Sequence, residues 1–158
     1  MSSADVPERV AKRLGYAMKR AQHALRLSMD GALRPTGLSA PQYAILCAVE
    51  AEAGLSNARL ARAAFVTPQT MQGMLANLER ENVVVRHPDP ANARILHTAL
   101  TSSGRRLLDE AHRLVAVVED VLVASFGKRE AHRLALLLTT CANDLQASLE
   151  RARVEDDG

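Results

Sequence analysis

Two short segments, residues 56–64 and 67–81, constrain this chain more than any other feature. Each opens on a hydroxyl residue able to cap a helix, Ser56 and Thr67. The second then places Pro68 at the first helical position, where a missing N–H does no harm. Apolar residues follow at helical spacing: Leu60, Ala61 and Ala64 in the first segment, Met71, Leu75 and Leu78 in the second. Only Phe65 and Val66 lie between them, so the two helices form a helix-turn-helix. The pattern then changes. Val83-Val84-Val85 is β-branched and reads as a strand, Pro88 to Asn92 is turn-rich, and residues 94–100 read as a returning strand with Ile95 and Leu96 apolar. A hairpin attached directly to the second short helix is a wing.

The flanks are helical. Asp5 and Glu8 have the spacing of a capping box, with Pro7 in the first turn, and Val10, Leu14, Met18, Ala21 and Leu25 mark one apolar face. Arg34-Pro35-Thr36-Gly37 ends that helix. Ser39 and Gln42 repeat the capping logic for a short helix through Tyr43, Leu46 and Cys47 to about Glu52, with Gly54 suited to a left-handed ending. After Thr101, Leu107, Leu108, Ala111, Leu114, Val118 and Val121 form a helical stripe broken at Phe126-Gly127. A last helix carries Leu134, Leu138, Cys141, Leu145 and Leu149 on one face, and its charged tail is expected to fray. The expected fold is mainly α with a small β-hairpin wing. It forms one domain over residues 1–158: a winged helix-turn-helix lobe (38–101) and a helical dimerisation layer (5–33 and 102–153).

Composition narrows the function. Aromatic residues make up 3% of the 158, with no Trp, so the core must be Ala, Leu and Val, which favours helices. A net charge of +2 neither requires nor forbids a polyanionic partner. No run is long and apolar enough for a bilayer, and no basic-then-apolar leader opens the chain, so no membrane association is expected. Cys47 and Cys141 match no metal or redox spacing; they read as small core hydrophobes of a reducing cytoplasm. His23, His87, His97, His112 and His132 include no i,i+4 pair, so no metal and no cofactor are expected. Without a phosphate loop, a His/carboxylate cluster or a nucleophile motif, an enzyme is disfavoured. The other alternative is a helical protein-interaction module.

Residues 55–104 carry a series of landmarks in order: Leu55-Ser56, Leu60-Ala61, Val66-Thr67, Leu78-Glu79, Leu100-Thr101 and Gly104. With Leu38 to Gln42 upstream and the closing helices, this pattern resembles the MarR family of bacterial transcription regulators over nearly the whole chain. The resemblance implies a triangular homodimer, seated on a pseudo-palindromic operator in double-stranded DNA, that represses and in many cases releases DNA on sensing a small aromatic or phenolic ligand, an oxidant or a metal. A regulator with no small-molecule ligand is the alternative within the class. Two positions depart from the pattern. Asn92 stands where an acidic residue usually precedes the wing arginine, here Arg94, and Gly73 stands where the recognition helix often carries a basic residue.

With Met71, Leu75 and Leu78 turned inward, the second short helix presents Gln69, Thr70, Gln72, Gly73, Ala76 and Asn77 outward. Glutamine offers a donor and an acceptor side by side, matching the edge of adenine in the major groove. The helix opening at Thr67-Pro68 can bring free N–H groups to phosphates, and Ser56 is a further candidate DNA contact. Arg94 is placed to enter the adjacent minor groove. Arg59, Arg62, Arg80 and Arg86 are candidates for phosphate contacts. Tyr16, His23 and Arg26, near one side of the first helix, are the candidate ligand-binding groups.

Overall fold

The computed structural model describes residues 8–52, 54–88 and 96–156. In order, the chain forms α1 (Glu8–Ala11), α2 (Leu14–Leu33), a 3₁₀ turn (Arg34–Thr36), α3 (Ala40–Ala51), α4 (Asn57–Ala63), α5 (Pro68–Arg80), β1 (Val84–Pro88), β2 (Leu96–Leu100), α6 (Ser102–Phe126) and α7 (Lys128–Asp156). The expected capping box at Asp5, with Pro7, lies outside the described residues. The first helix, expected to be continuous, is interrupted at Lys12-Arg13, where Arg13 is extended (φ −74°, ψ 132°) and caps α2. Gly15, in the first turn that follows, is a poor helix former, so little holds the two pieces in one rod.

The other boundaries follow local chemistry. Gly37 ends the 3₁₀ turn at φ 71° and Gly54 follows α3 at φ 81°. Ser39 accepts from the Gln42 N–H while Gln42 Oε1 accepts from the Ser39 N–H at 2.9 Å, completing the expected capping box. Gly127, at φ 77°, separates α6 from α7.

Chain contacts divide the backbone into two compact units, Met1–Val118 and Glu119–Gly158, so the division falls within α6. In the first unit, Leu33, Ile45, Leu46, Leu60, Met71, Leu78, Val84 and Leu108 are fully enclosed and form one core. It joins the end of α2, α3, both short helices, the hairpin and the first half of α6. Strands β1 and β2 pair antiparallel, with Val84 opposite Leu100 and Pro88 opposite Leu96. At the hairpin's base, Thr101 Oγ1 donates to the Asn82 carbonyl at 2.6 Å, and the Gly104 N–H donates to Thr101 Oγ1 at 2.9 Å. Gly104 brings α6 against the end of α5 so closely that a Cβ there would sit 2.0 Å from the Val83 carbonyl oxygen.

In the second unit, α7 shows Leu134, Leu138, Leu145 and Leu149 exposed at i,i+4 and i,i+7 spacing, and no described side chain of this helix is buried. Among the described residues, no helix is long and apolar enough to cross a membrane.

Candidate nucleic-acid interface

The helix-turn-helix is built as its sequence dictates. Ser56 Oγ accepts from the Arg59 N–H at 3.4 Å to open α4, and Thr67 Oγ1 accepts from the Thr70 N–H at 3.1 Å to open α5, with Pro68 following. Asn57 Nδ2 donates to the Pro68 carbonyl at 3.2 Å, pinning the start of one helix to the start of the other. Leu60 and Ala61 from α4 meet Met71, Leu75 and Leu78 from α5 in the core. The two N-termini and the outer face of α5 are thereby fixed as one surface.

That outer face carries no charge from Gln69 to Asn77. Gln69, Thr70, Gln72, Gly73, Ala76 and Asn77 are all exposed. The Thr70 hydroxyl lies 2.9 Å from that of Thr67, so it supports the cap as well as lining the face. Space beside Gly73 is open, with no atom within 4 Å of an added Cβ. Arg80 closes the helix and donates to Asn77 Oδ1 at 2.8 Å.

The arginines divide by partner. Arg59 makes a forked pair with Glu52 at 2.5 and 2.7 Å, and this bond pushes its pKa up. Both groups are half-exposed, so a phosphate would have to exchange with Glu52. Arg86 points along β1 to Glu79, donating through Nε at 2.9 Å and also through Nη2. Its side chain is only 20% exposed, and it holds the Glu79 carboxyl below its ordinary value near 4.5. Arg86 is therefore committed within the lobe, bracing the hairpin on α5. Arg62 is exposed on α4. Arg94, with its neighbours Asp89 and Asn92, lies outside the described residues.

Sequence reasoning missed the acidic partners, Glu52 and Glu79. Each lies seven residues from its arginine across a turn, where no helical or strand period pairs them. It also missed His97, whose Nδ1 lies 2.8 Å from the Gly54 carbonyl and ties the wing to the loop before α4.

The three candidate ligand residues separate in space. Arg26 lines a cavity of about 350 Å³ between α2, α3 and the α4–α5 turn, with Leu25, Met29, Pro41, Phe65 and Val66 among its walls. Tyr16 and His23 are not part of that lining. Arg26 pairs with Asp30 at 3.3 Å in an exposed i,i+4 contact, a weak bond that a ligand can displace. Cys47 is half-buried, and burial pushes its thiol pKa up, which suits a packing role better than a reactive one.

Comparison with known proteins agrees with this geometry. Residues 36–95 match the model of the MarR family. The HTH-type transcriptional repressor Rv2887 of Mycobacterium tuberculosis is 33% identical over 131 residues, covering 83% of this chain and 94% of that protein. The structure of the transcriptional repressor CouR bound to a 23-mer DNA duplex superposes with a TM-score of 0.80 at 29% identity, over 85% of this chain and 96% of that one. The structure of Rv2887 in complex with salicylic acid gives a TM-score of 0.67 at 32% identity, over 87% and 98%.

Proposed function

The chain belongs to the MarR family of winged helix-turn-helix transcription regulators, and from that premise we propose that it is a cytoplasmic homodimeric repressor, released from double-stranded DNA by a small aromatic acid. Such a regulator carries out no reaction of its own.

The observation that carries the DNA assignment is the outer face of α5. Six exposed positions between Gln69 and Asn77 hold no charge, beside two helix openings joined by the Asn57–Pro68 bond. A merely solvated helix face usually carries charge, whereas Gln and Asn offer paired donor and acceptor groups to base edges, with phosphate contacts at the helix ends. Gln69 and Gln72 read bases, Ser56, Thr67 and Pro68 position helix N-termini on phosphates, and Arg62, Arg80 and Arg94 supply the charge.

The exposed leucines of α7 support the dimer. With Val121, Leu122 and Phe126 at the end of α6, they are large apolar side chains that an isolated chain would leave in water. A second copy, bringing the same stripe, covers it by two-fold symmetry and sets two recognition helices on one palindrome.

The ligand assignment rests on the Arg26 cavity. Its volume lies in the range of small-molecule sites, and it combines apolar walls with a cation for a carboxylate. Rv2887, the relative solved with salicylic acid, makes salicylate the first acid to try.

The test is titration of the full chain against an operator selected from randomised duplexes. Gln69→Ala should weaken binding to that operator by about 1–3 kcal/mol while leaving binding to a scrambled duplex unchanged. Equal loss on both duplexes, or none on either, would remove α5 as the reading surface.

A further inference from the structure

The turn between α4 and α5 holds a side chain that its own backbone opposes. The Phe65 N–H donates to the Arg62 carbonyl at 3.2 Å and the Val66 N–H to the Ala61 carbonyl at 3.0 Å. This pair of hydrogen bonds ends a helix with one left-handed residue, usually Gly and sometimes Asn. The end of α5 follows that preference: Asn82 sits at φ 55°, its N–H bonded to the Glu79 carbonyl, with Val83 bonded to Leu78. At the end of α4 the same position, at φ 54°, is filled by phenylalanine. A bulky side chain in that region is strained. Packing within the chain does not offset the strain, because Phe65 is 90% exposed.

Phe65 also borders the Arg26 cavity. Three consecutive residues of the turn, Ala64, Phe65 and Val66, form one wall, facing Met29 of α2 and Pro41 of α3. The next residue is Thr67, the cap that starts α5. Any group that settles on the ring therefore acts on the segment that sets where the recognition helix begins. Strained residues of this kind concentrate at ligand clamps and switches.

We propose that Phe65 is the contact through which α5 reads occupancy of this cavity: a flat aromatic acid stacks on its ring, places its carboxylate on Arg26, and shifts the α4–α5 turn. The inference rests on the ligand-released repressor reading above. It adds the residue that couples ligand to DNA. The ring, exposed in the single chain, gains a partner when the acid is bound, and that added contact favours the turn position that makes it, as a population shift requires.

The experiment measures operator affinity of the full-length protein with and without sodium salicylate, for wild type, Phe65→Tyr, Phe65→Asn, Phe65→Gly and Arg26→Gln. Asparagine and glycine both tolerate the left-handed turn, so folding is retained while the ring is lost. Wild type and Phe65→Tyr should lose about tenfold in operator affinity on adding salicylate. Phe65→Asn and Phe65→Gly should bind the operator within about twofold of wild type, yet change less than about threefold with salicylate. Arg26→Gln should need a higher salicylate concentration for the same release. Release of Phe65→Asn at the wild-type salicylate concentration overturns the role of Phe65 while leaving the cavity reading standing if Arg26→Gln is impaired. Loss of dimerisation by Phe65→Asn, followed by sedimentation, also overturns it, assigning the ring to the subunit interface. A wild-type protein that holds its operator in millimolar salicylate removes the ligand reading and this inference together, leaving DNA binding intact.

Discussion

The hydroxyl of Tyr43 lies 2.8 Å from Nδ1 of His112, 69 positions further along the chain, with the rings edge-to-face at a centroid separation of 5.5 Å. The other ring nitrogen of His112 meets Glu50 Oε2 at 3.1 Å, so Tyr43 and Glu50, two turns apart on one face of α3, hold the same residue of α6. With its proton on Nε2, the neutral imidazole satisfies both partners at once, donating to Glu50 and accepting from Tyr43. This clasp holds the DNA-reading lobe to the helix that leads out of it.

Removing one hydrogen bond from the clasp has a defined cost. Tyr43→Phe should lose about 1 kcal/mol of stability, keeping the edge-to-face ring contact while deleting the hydroxyl. His112→Ala should lose more, and the two changes should couple by about 0.5 kcal/mol or more in a double-mutant cycle from urea unfolding. Simple additivity would mean that the two rings do not share their energy.

Two glycines should respond with opposite signs. Gly104→Ala drives a Cβ to 2.0 Å from the Val83 carbonyl, a backbone atom that cannot swing aside. It should cost about 3 kcal/mol through displacement of α6 from the end of α5. Gly73→Ala meets open space inside a helix and should stabilise by roughly 1 kcal/mol. Thermal melts of the two variants decide this, and a stable Gly104→Ala would contradict the close approach.

The Glu79–Arg86 brace should lose its stabilising effect in acid. Arg86 lowers the Glu79 pKa in the folded chain, so unfolding lets the carboxyl return toward its ordinary value near 4.5. The unfolded chain then binds more protons than the folded one as the pH falls through that region. The brace's contribution is complete above about pH 5 and is lost below 4.5, as pH falls through the lowered folded value. Chemical unfolding measured from pH 6 to pH 3 should show a shallower loss for Glu79→Gln than for wild type. Parallel curves would show that the pair adds nothing to stability.

The α7 stripe offers a separate handle on assembly. Leu145 is 61% exposed in the single chain, so replacing it with arginine should leave the winged lobe folded. The same change puts a charge into the expected subunit interface, and sedimentation at micromolar concentration should show dissociation toward the 17.1 kDa monomer. A Leu145→Arg protein that stays dimeric places the interface elsewhere.

Most of the fold was legible because its signals are local. Ser39 with Gln42, Ser56, Thr67 with Pro68, Gly54 and Gly127 each act on residues within one turn, and each lies where a helix begins or ends. Helical period alone separated the buried Met71, Leu75 and Leu78 from the outward Gln69, Gln72 and Asn77, so the face of α5 follows from its residue spacing. The interruption at Lys12-Arg13 was invisible, because an apolar stripe persists whether or not the backbone beneath it is continuous.

Tertiary structure decided which charges are free and what the turn is for. Arg59 and Arg86 look alike in sequence, but the fold gives each a carboxylate brought from across a turn, and electrostatic pairing depends on distance through space rather than along the chain. Phe65 reads in sequence as one half of a tight connection. Only the folded backbone shows it held left-handed, exposed, and set against a cavity with Arg26, because a dihedral angle and a cavity wall both come from packing several elements together.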